Sequence, residues 1–158
     1  MPDVTVNGLD RLAKAMDEIV KEAPEMQRQV HEQIGEELEG IVRKNVYDVL
    51  TRRTGKVGKW QVKHIGSGGG YAAVRAADSP AGPNGAGAVT NYLENGHAKR
   101  RNRLWSQKQS RRTRMMRAQA GGNWVRGRGF YAISRADAPR LLAKAADDLA
   151  KQIADRLR

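Results

Sequence analysis

An apolar stripe at helical spacing runs through the first third of this chain and limits what it can fold into. The stripe begins at Leu9 and recurs at intervals of about three or four residues as far as Leu50. A proline inside a helix removes a backbone hydrogen bond, but it fits the first turn of a new helix. We therefore expect a short helix, a kink near Pro24 and then a long helix.

The apolar period changes from helical to alternating after this stripe. Trp60 to Ile65 and Tyr71 to Ala77 alternate as strands do, and Gly66 to Gly70 between them can form a tight turn. This arrangement predicts a β-hairpin. The glycine run lacks the spacing of known phosphate-binding loops, so a turn is the better interpretation.

Three segments complete the prediction of the fold. Val89 to Leu93 is a candidate third strand, and Gly129 to Ser134 reads as a short extended segment or a bend. Asp137 and Pro139 suit the start of a final amphipathic helix, with Leu149 in the middle of its apolar stripe. We predict one α+β domain over residues 1–158, with long N-terminal helices and a C-terminal helix packed on a small antiparallel sheet.

Composition excludes several classes of function. The chain has no cysteine, which removes disulfides, thiolate metal sites and thiol nucleophiles. No apolar run approaches the roughly 18 residues of a membrane-spanning helix, and the N-terminus lacks the apolar stretch of a secretory signal. The expectation is a soluble protein made in a cytoplasm.

The histidines and the carboxylates do not form a recognisable catalytic or metal motif. His31, His64 and His97 lie far apart in different predicted elements. A catalytic pairing of His97 with Glu94 is conceivable, because groups three residues apart can meet in a turn, but we do not favour it. His31 and the nearby carboxylates of the long helix are expected to face solvent. We therefore expect no enzyme activity, no metal and no cofactor. The helix carboxylates in question are Glu32, Glu36, Glu37 and Glu39.

Positive charge is concentrated in one segment. The net charge is +12, and between Asn95 and Ala136 there are 12 basic residues and no acidic one. The rest of the chain holds as many basic as acidic residues, so it reads as a charge-balanced body with a long basic loop over 98–128. The basic residues are Lys99, Arg100, Arg101, Arg103, Lys108, Arg111, Arg112, Arg114, Arg117, Arg126, Arg128 and Arg135.

Such a segment suits contact with a polyanion. Nucleic acid is one candidate, because basic side chains release counterions from phosphates, and Trp105 or Trp124 could stack on a base. An acidic protein partner is the other candidate. The segment carries no zinc ligands and no recognisable sequence-reading motif. The first eleven of these basic residues, Lys99 to Arg128, are therefore the candidate contacts for DNA or for an acidic partner.

Several short motifs occur in a fixed order along the chain. An opening V-x-G-L-D-x-L leads into the helices, Tyr92 to His97 follow the hairpin, and Phe130 to Ala136 precede the last helix. In this order the chain resembles the head–tail connector and tail-completion proteins of long-tailed bacteriophages. The motif residues that carry the resemblance are Tyr92, Glu94, Gly96, His97 and Phe130. Residues 98–128 depart from the family pattern, because that link is usually shorter and less basic.

The resemblance implies a structural role in the virion. A protein of this family is an α+β subunit of a homo-oligomeric ring, here expected to be a hexamer, located in the neck between the portal and the tail tube. Its partners are neighbouring neck and tail proteins, with DNA passing through the lumen, and no membrane is involved. The alternative is a nucleic-acid-binding module unrelated to virions that acts through residues 99–128.

Overall fold

A computed structural model describes residues 7–50, 55–77, 84–98 and 124–157, together with the single residues 82 and 116. These residues confirm the predicted α+β class. The helices are α1 (Asn7–Val49), α2 (Lys56–Trp60), α3 (Ala86–Asn95), α4 (Phe130–Arg135) and α5 (Ala138–Arg156). The strands are β1 (Gln61–Ile65), β2 (Ala72–Ala76), β3 (Gly96–Ala98) and β4 (Trp124–Arg126).

The predicted division of the N-terminal helix at Pro24 is wrong. Pro24 lies inside α1, which continues as one helical segment from Asn7 to Val49. A proline costs the helix one hydrogen bond and crowds the preceding turn. Met26, only 4% exposed, anchors the turn that follows it. Burial of the stripe after Pro24 therefore stabilises the helix against the local preference for a break.

The predicted hairpin is confirmed. Strands β1 and β2 form a two-stranded sheet, and a connection as short as theirs requires antiparallel pairing. The turn contains a short 3-10 helix over Ser67–Gly69, and the N–H of Gly66 donates to the carbonyl of Tyr71 at 2.9 Å. Gly68 has φ +72°, a backbone conformation that glycine adopts without a Cβ clash.

A segment expected to be a strand and another expected to be extended or bent are helical instead. Val89 to Leu93 lie inside α3, and Phe130 to Ser134 lie inside α4. The strands in this part of the chain are β3 and β4, which pair antiparallel and form a second two-stranded sheet. Short apolar runs do not distinguish a strand from a buried helix, which explains the first error.

The described residues cluster as two compact units. Unit 1 is formed within Met1–Gly40, Lys63–Val74 and Ala136–Arg158, and unit 2 within Ile41–Val62 and Arg75–Arg135. The expectation of one domain over 1–158 stays a prediction. Within the described residues, no helix combines the length and the apolar composition that a membrane crossing requires.

Unit 1 joins α5 to the first part of α1. Glu37 pairs with Lys144 and Glu22 with Arg156, so the two helices run antiparallel. Leu141 of α5 is buried at 3% exposure beside a cavity of about 230 Å³ that Ile34 also lines. Exposed ion pairs add little stability, so the buried apolar side chains contribute most of the packing energy.

The hairpin also packs on α1 within unit 1. Nδ1 of His31 lies 2.5 Å from the carbonyl oxygen of Gly69, so His31 is half-buried against the turn and does not face solvent as expected. The ammonium group of Lys63 pairs with Glu36 at 2.6 Å, and its backbone N–H donates to Glu39. Of the helix carboxylates, Glu36 and Glu37 are exposed as expected, whereas Glu32 and Glu39 are half-buried.

Unit 2 has its own small core. Phe130 is fully buried, and Val42, Val46 and Ala86 are at most 5% exposed. Gln61 is also fully buried, which requires hydrogen-bond partners for its amide. These partners connect the core to the candidate site.

Candidate functional site

The two ends of the basic segment are joined by the two-stranded sheet of β3 and β4, here called the stem. Across β3 and β4, Gly96 pairs with Arg126, His97 with Val125 and Ala98 with Trp124. Paired residues of antiparallel strands lie about 4.5–5.5 Å apart. Ala98 and Trp124, which flank residues 99–123 in the sequence, therefore lie side by side.

The described part of this segment contains two of the eleven predicted contact residues. Arg126 lies in β4 and Arg128 follows it, and both side chains are exposed. The backbone N–H of Arg128 donates to the carbonyl of Leu93 at 2.6 Å, which fixes the position of that residue. Lys99, Arg100, Arg101, Arg103, Lys108, Arg111, Arg112, Arg114 and Arg117 lie outside the described residues.

Glu94 joins the two sequence motifs that carry the family resemblance. Its carboxylate accepts the backbone N–H of Tyr131 at 2.9 Å and that of Ala132 at 3.1 Å. The first N–H groups of a helix have no partner inside the helix, so Glu94 supplies acceptors that α4 lacks locally. Phe130, at the start of α4, is fully buried.

Two glycines allow the backbones of the two motifs to approach closely. Gly96 has φ +81°, and a Cβ there would collide with the carbonyl oxygen of Val125. A Cβ on Gly127 would collide with the carbonyl oxygen of Glu94. The N–H of Gly129 donates to that same carbonyl at 3.2 Å. The match of Gly96 to the family motif therefore has a steric basis in this fold.

A buried polar network lies next to the contact between the two motifs. The amide of Gln61 donates to the carbonyl of Val57 at 3.0 Å and to the hydroxyl of Thr90 at 3.3 Å. The hydroxyl of Tyr131 donates to the amide oxygen of Gln61. Burial, and secondarily the charge of Glu94, raises the pKa of Tyr131 to about 12. A hydroxyl with this pKa stays protonated at neutral pH and serves as a donor.

A second polar link holds the last turn of α4 to α1 within unit 2. The amide of Asn45 donates to the hydroxyl of Ser134 at 2.9 Å, and that hydroxyl donates to the carbonyl of Phe130 at 2.7 Å. The sequence contained no signal for Gln61, Thr90, Tyr131 or Ser134, because isolated polar residues in apolar segments have no distinctive spacing.

His97 is positioned by an aromatic contact. Its ring lies 5.5 Å from that of Tyr92, centroid to centroid, and its Nδ1 atom is buried without a hydrogen-bond partner among the described residues. The carboxylate of Glu94 is occupied by the N–H groups of α4. The two residues therefore serve packing and capping, and their arrangement differs from that of a general acid–base pair.

Charge divides unevenly between the two units, although basic and acidic residues are equal in number outside the basic segment. Among the described residues, unit 1 has thirteen acidic and nine basic side chains, whereas unit 2 has two acidic and eight basic ones. The described acidic residues of unit 2 are Asp48 and Glu94, and its described basic residues are Arg43, Lys44, Lys56, Lys59, Arg75, Arg126, Arg128 and Arg135.

Within the described part of the chain, no group of three or more His, Asp and Glu side chains is placed to hold a metal ion. No family model, curated protein or solved structure matches this chain. The likeness to phage neck proteins therefore depends on the order of the motifs in the sequence.

Proposed function

We propose that this chain is a non-enzymatic structural subunit of the neck of a long-tailed phage. In this role it is a tail-completion or head–tail joining protein that forms a ring between the portal and the tail tube. The observation that carries the proposal is the capping of α4 by Glu94, because it brings together the two motifs that resemble the family.

The contact between the two motifs supports the proposal because the motifs are far apart in sequence. Short motifs that match by chance have no reason to meet in the fold. Here Tyr92 to His97 and Phe130 to Ala136 meet through a carboxylate cap, through the pairing of β3 with β4 and through the close approach of Gly127 to Glu94. A shared structural role explains their common order and their contact.

The charge of unit 2 supports a position beside DNA. A neck ring surrounds the path of the genome, and basic side chains near that path lower the free energy of the passing polyanion. Unit 2 has eight basic and two acidic described residues, and its exposed Arg126 and Arg128 lie on the stem of the basic segment.

The polar groups near the motifs also support a structural role. Glu94 is engaged in capping, and the raised pKa of Tyr131, about 12, keeps its hydroxyl a donor to Gln61. Groups that stabilise a fold in this way differ from catalytic groups, whose pKa values lie near the working pH.

Particle composition tests this proposal. The phage that encodes the chain is produced with and without it, and the purified particles are compared by mass spectrometry and negative-stain microscopy. We expect the chain in mature particles in a fixed ratio to the portal protein, and unjoined heads and tails when it is missing. Complete, infectious particles that lack the chain would contradict the proposal.

The charge of unit 2 also favours a second candidate, a nucleic-acid-binding module that acts through residues 99–128 outside any virion. The two candidates make different predictions about particles. A binding module is absent from mature particles and still binds DNA with steep salt dependence, whereas a neck subunit is part of the particle.

A further inference from the structure

One face of the stem combines an aromatic side chain with a basic one. Successive residues of a strand point to opposite faces of a sheet, so Trp124 and Arg126 lie on one face and Val125 lies on the other. Across the stem from the first two are Ala98 and Gly96, which carry only a methyl group and no side chain. These small neighbours leave room on this face of the stem, as far as the structure describes it.

The indole of Trp124 lies close to the position of Arg126. A Cβ on Gly96 would come within 2.8 Å of the indole Nε1 atom, so the ring leans along the stem toward Gly96, which is the cross-strand partner of Arg126. Two positions along a strand correspond to about 6.5–7 Å. Trp124 is half-buried and Arg126 is exposed, so the stem holds the ring in place and leaves part of this residue accessible beside a guanidinium group.

The chain after the stem holds a second arginine on a fixed backbone. The N–H of Arg128 donates to the carbonyl of Leu93 at 2.6 Å, and a Cβ on Gly127 would collide with the carbonyl oxygen of Glu94. Gly127 therefore faces the end of α3, whereas its neighbours Arg126 and Arg128 have exposed side chains. Within the described residues, neither guanidinium has an ion pair or a hydrogen bond. Arginines placed in this way suit phosphate groups, which they bind through paired hydrogen bonds.

These groups together match the chemistry of a single-stranded nucleic acid. Eight basic against two acidic described residues in unit 2 favour a polyanion as the partner. Arginines contact the phosphates of a duplex and of a single strand alike. An aromatic ring stacks on a base that is unpaired and splayed out, as in a single strand. An acidic peptide would pair with the arginines and leave the indole unused.

We propose that the stem binds single-stranded nucleic acid, with a base stacked on Trp124 and neighbouring phosphates paired with Arg126 and Arg128. The inference rests on the proposed function of unit 2 as a surface for a polyanion, and it names the form of the ligand and the residues that hold it. It goes beyond the attraction between opposite charges, because stacking selects an unpaired base in addition to the phosphate charge.

Fluorescence anisotropy of the intact chain with three labelled ligands tests this site. The ligands are a thymidine strand about 12 nucleotides long, the same strand in a duplex, and a strand of equal length whose sugars carry no bases. The abasic strand keeps the phosphates but offers nothing that can stack on an aromatic ring. A difference between the thymidine strand and the abasic strand therefore measures stacking separately from charge.

Four variants assign this difference to named side chains. Trp124→Leu removes the aromatic ring but keeps a large apolar side chain, whereas Trp124→Tyr keeps an aromatic ring. Arg126→Gln combined with Arg128→Gln removes both guanidinium groups. The control is Val125→Ala, which changes a side chain that is 39% exposed on the opposite face of the stem.

We expect the natural chain and the Val125→Ala control to bind the thymidine strand more tightly than the duplex or the abasic strand. Trp124→Leu should bind the thymidine strand about 5- to 150-fold more weakly and the abasic strand as before, because only stacking is lost. Trp124→Tyr should recover most of this affinity. The double arginine variant should bind all three ligands more weakly and reduce the salt slope for the single strand by about 1.4.

Three outcomes would overturn the inference. They are a natural chain that binds the duplex as tightly as the thymidine strand, a Trp124→Leu variant that binds the thymidine strand as well as the natural chain does, and an equal loss of affinity for the thymidine and abasic strands. Circular dichroism checks that each variant folds. If Trp124→Leu does not fold, the preference of the natural chain for bases and the double arginine variant still decide.

Particle composition tests the proposed function separately. A chain that is present in particles but shows no preference for the thymidine strand would retain the neck function and lose only this site. A chain that is absent from particles but keeps the preference would lose the neck function and retain this site.

Discussion

The carboxylate of Glu94 accepts the backbone N–H of Tyr131 at 2.9 Å, so a residue at the end of α3 caps the start of α4. This contact holds the two motifs together, and both ends of the basic segment are attached next to it. The stability of unit 2 and the position of the stem therefore depend on the same side chain.

Replacement of Glu94 measures the strength of this cap. Glu94→Ala leaves two N–H groups of α4 without their acceptor and should lower the free energy of unfolding by about 1–3 kcal/mol. Glu94→Gln keeps one carbonyl acceptor and should cost less. Urea denaturation followed by circular dichroism gives both values, and equal stability of all three proteins would contradict the capping role.

The hydroxyl of Tyr131 should make stability sensitive to alkaline pH. An unfolded tyrosine has a pKa near 10, whereas burial and then the charge of Glu94 raise the pKa of Tyr131 to about 12. The unfolded state therefore loses this proton first as the pH rises. The stabilisation is complete below pH 10 and is lost progressively between pH 10 and 12.

Tyr131→Phe isolates this effect from other titrating groups. At pH 8 the natural chain should be more stable by about 1–3 kcal/mol, because the variant leaves the amide oxygen of Gln61 without its donor. The difference should shrink by about 1–2 kcal/mol between pH 10 and 12, after allowance for partial solvent screening. A difference that is constant over this range would contradict the assigned shift.

Gly96 should tolerate no side chain. Its φ of +81° disfavours other residues, and a methyl group would collide with the carbonyl oxygen of Val125. Gly96→Ala should cost about 1–3 kcal/mol or more. The matched control is Gly87→Ala in the same unit, an open position inside α3, which should stabilise by about 0.5–1 kcal/mol. Thermal denaturation compares the two, and similar effects would contradict the tight approach at Gly96.

Neighbouring leucines of α5 should respond differently to truncation. Leu141 is 3% exposed, so Leu141→Ala should cost about 2–5 kcal/mol, whereas Leu142→Ala should stay within about 0.5 kcal/mol in the dissociated chain. Leu149 was expected in the core but is half-buried, so its truncation should fall between the two. A large cost for Leu142→Ala at low concentration would mean that this face is already covered within one copy.

Binding of duplex DNA should depend steeply on salt. About six phosphate contacts predict that log K falls against log salt with a slope of about −5, measured by fluorescence anisotropy. Arg126→Gln and Arg128→Gln should each flatten the slope by about one unit if these exposed side chains contact phosphates. Arg140→Gln in unit 1 is the control. A flat salt dependence would instead favour an acidic protein partner.

The sequence predicted the elements whose signals are local. The stripe of α1, the glycines of the hairpin turn and Pro139 at the start of α5 each specify their element by spacing or by backbone restriction. Continuation of α1 through Pro24 could not be predicted this way, because it depends on packing of the part of the helix that follows, as at Met26.

The candidate site depends on contacts between distant residues. Helix α4 is capped by Glu94, 37 positions before Tyr131. The division of charge is hidden in the same way, because unit 2 combines residues 41–62 with residues 75–135. Counting charges along the sequence located the basic segment but could not show that its surroundings are basic as well.

Electron cryomicroscopy of purified particles of the tailed phage that encodes this chain tests the central claim most directly. The account predicts a closed ring of this subunit between the portal and the tail tube, with the basic residues of unit 2 directed toward the DNA path or an acidic neighbour. A neck in which other proteins account for all the density would contradict it.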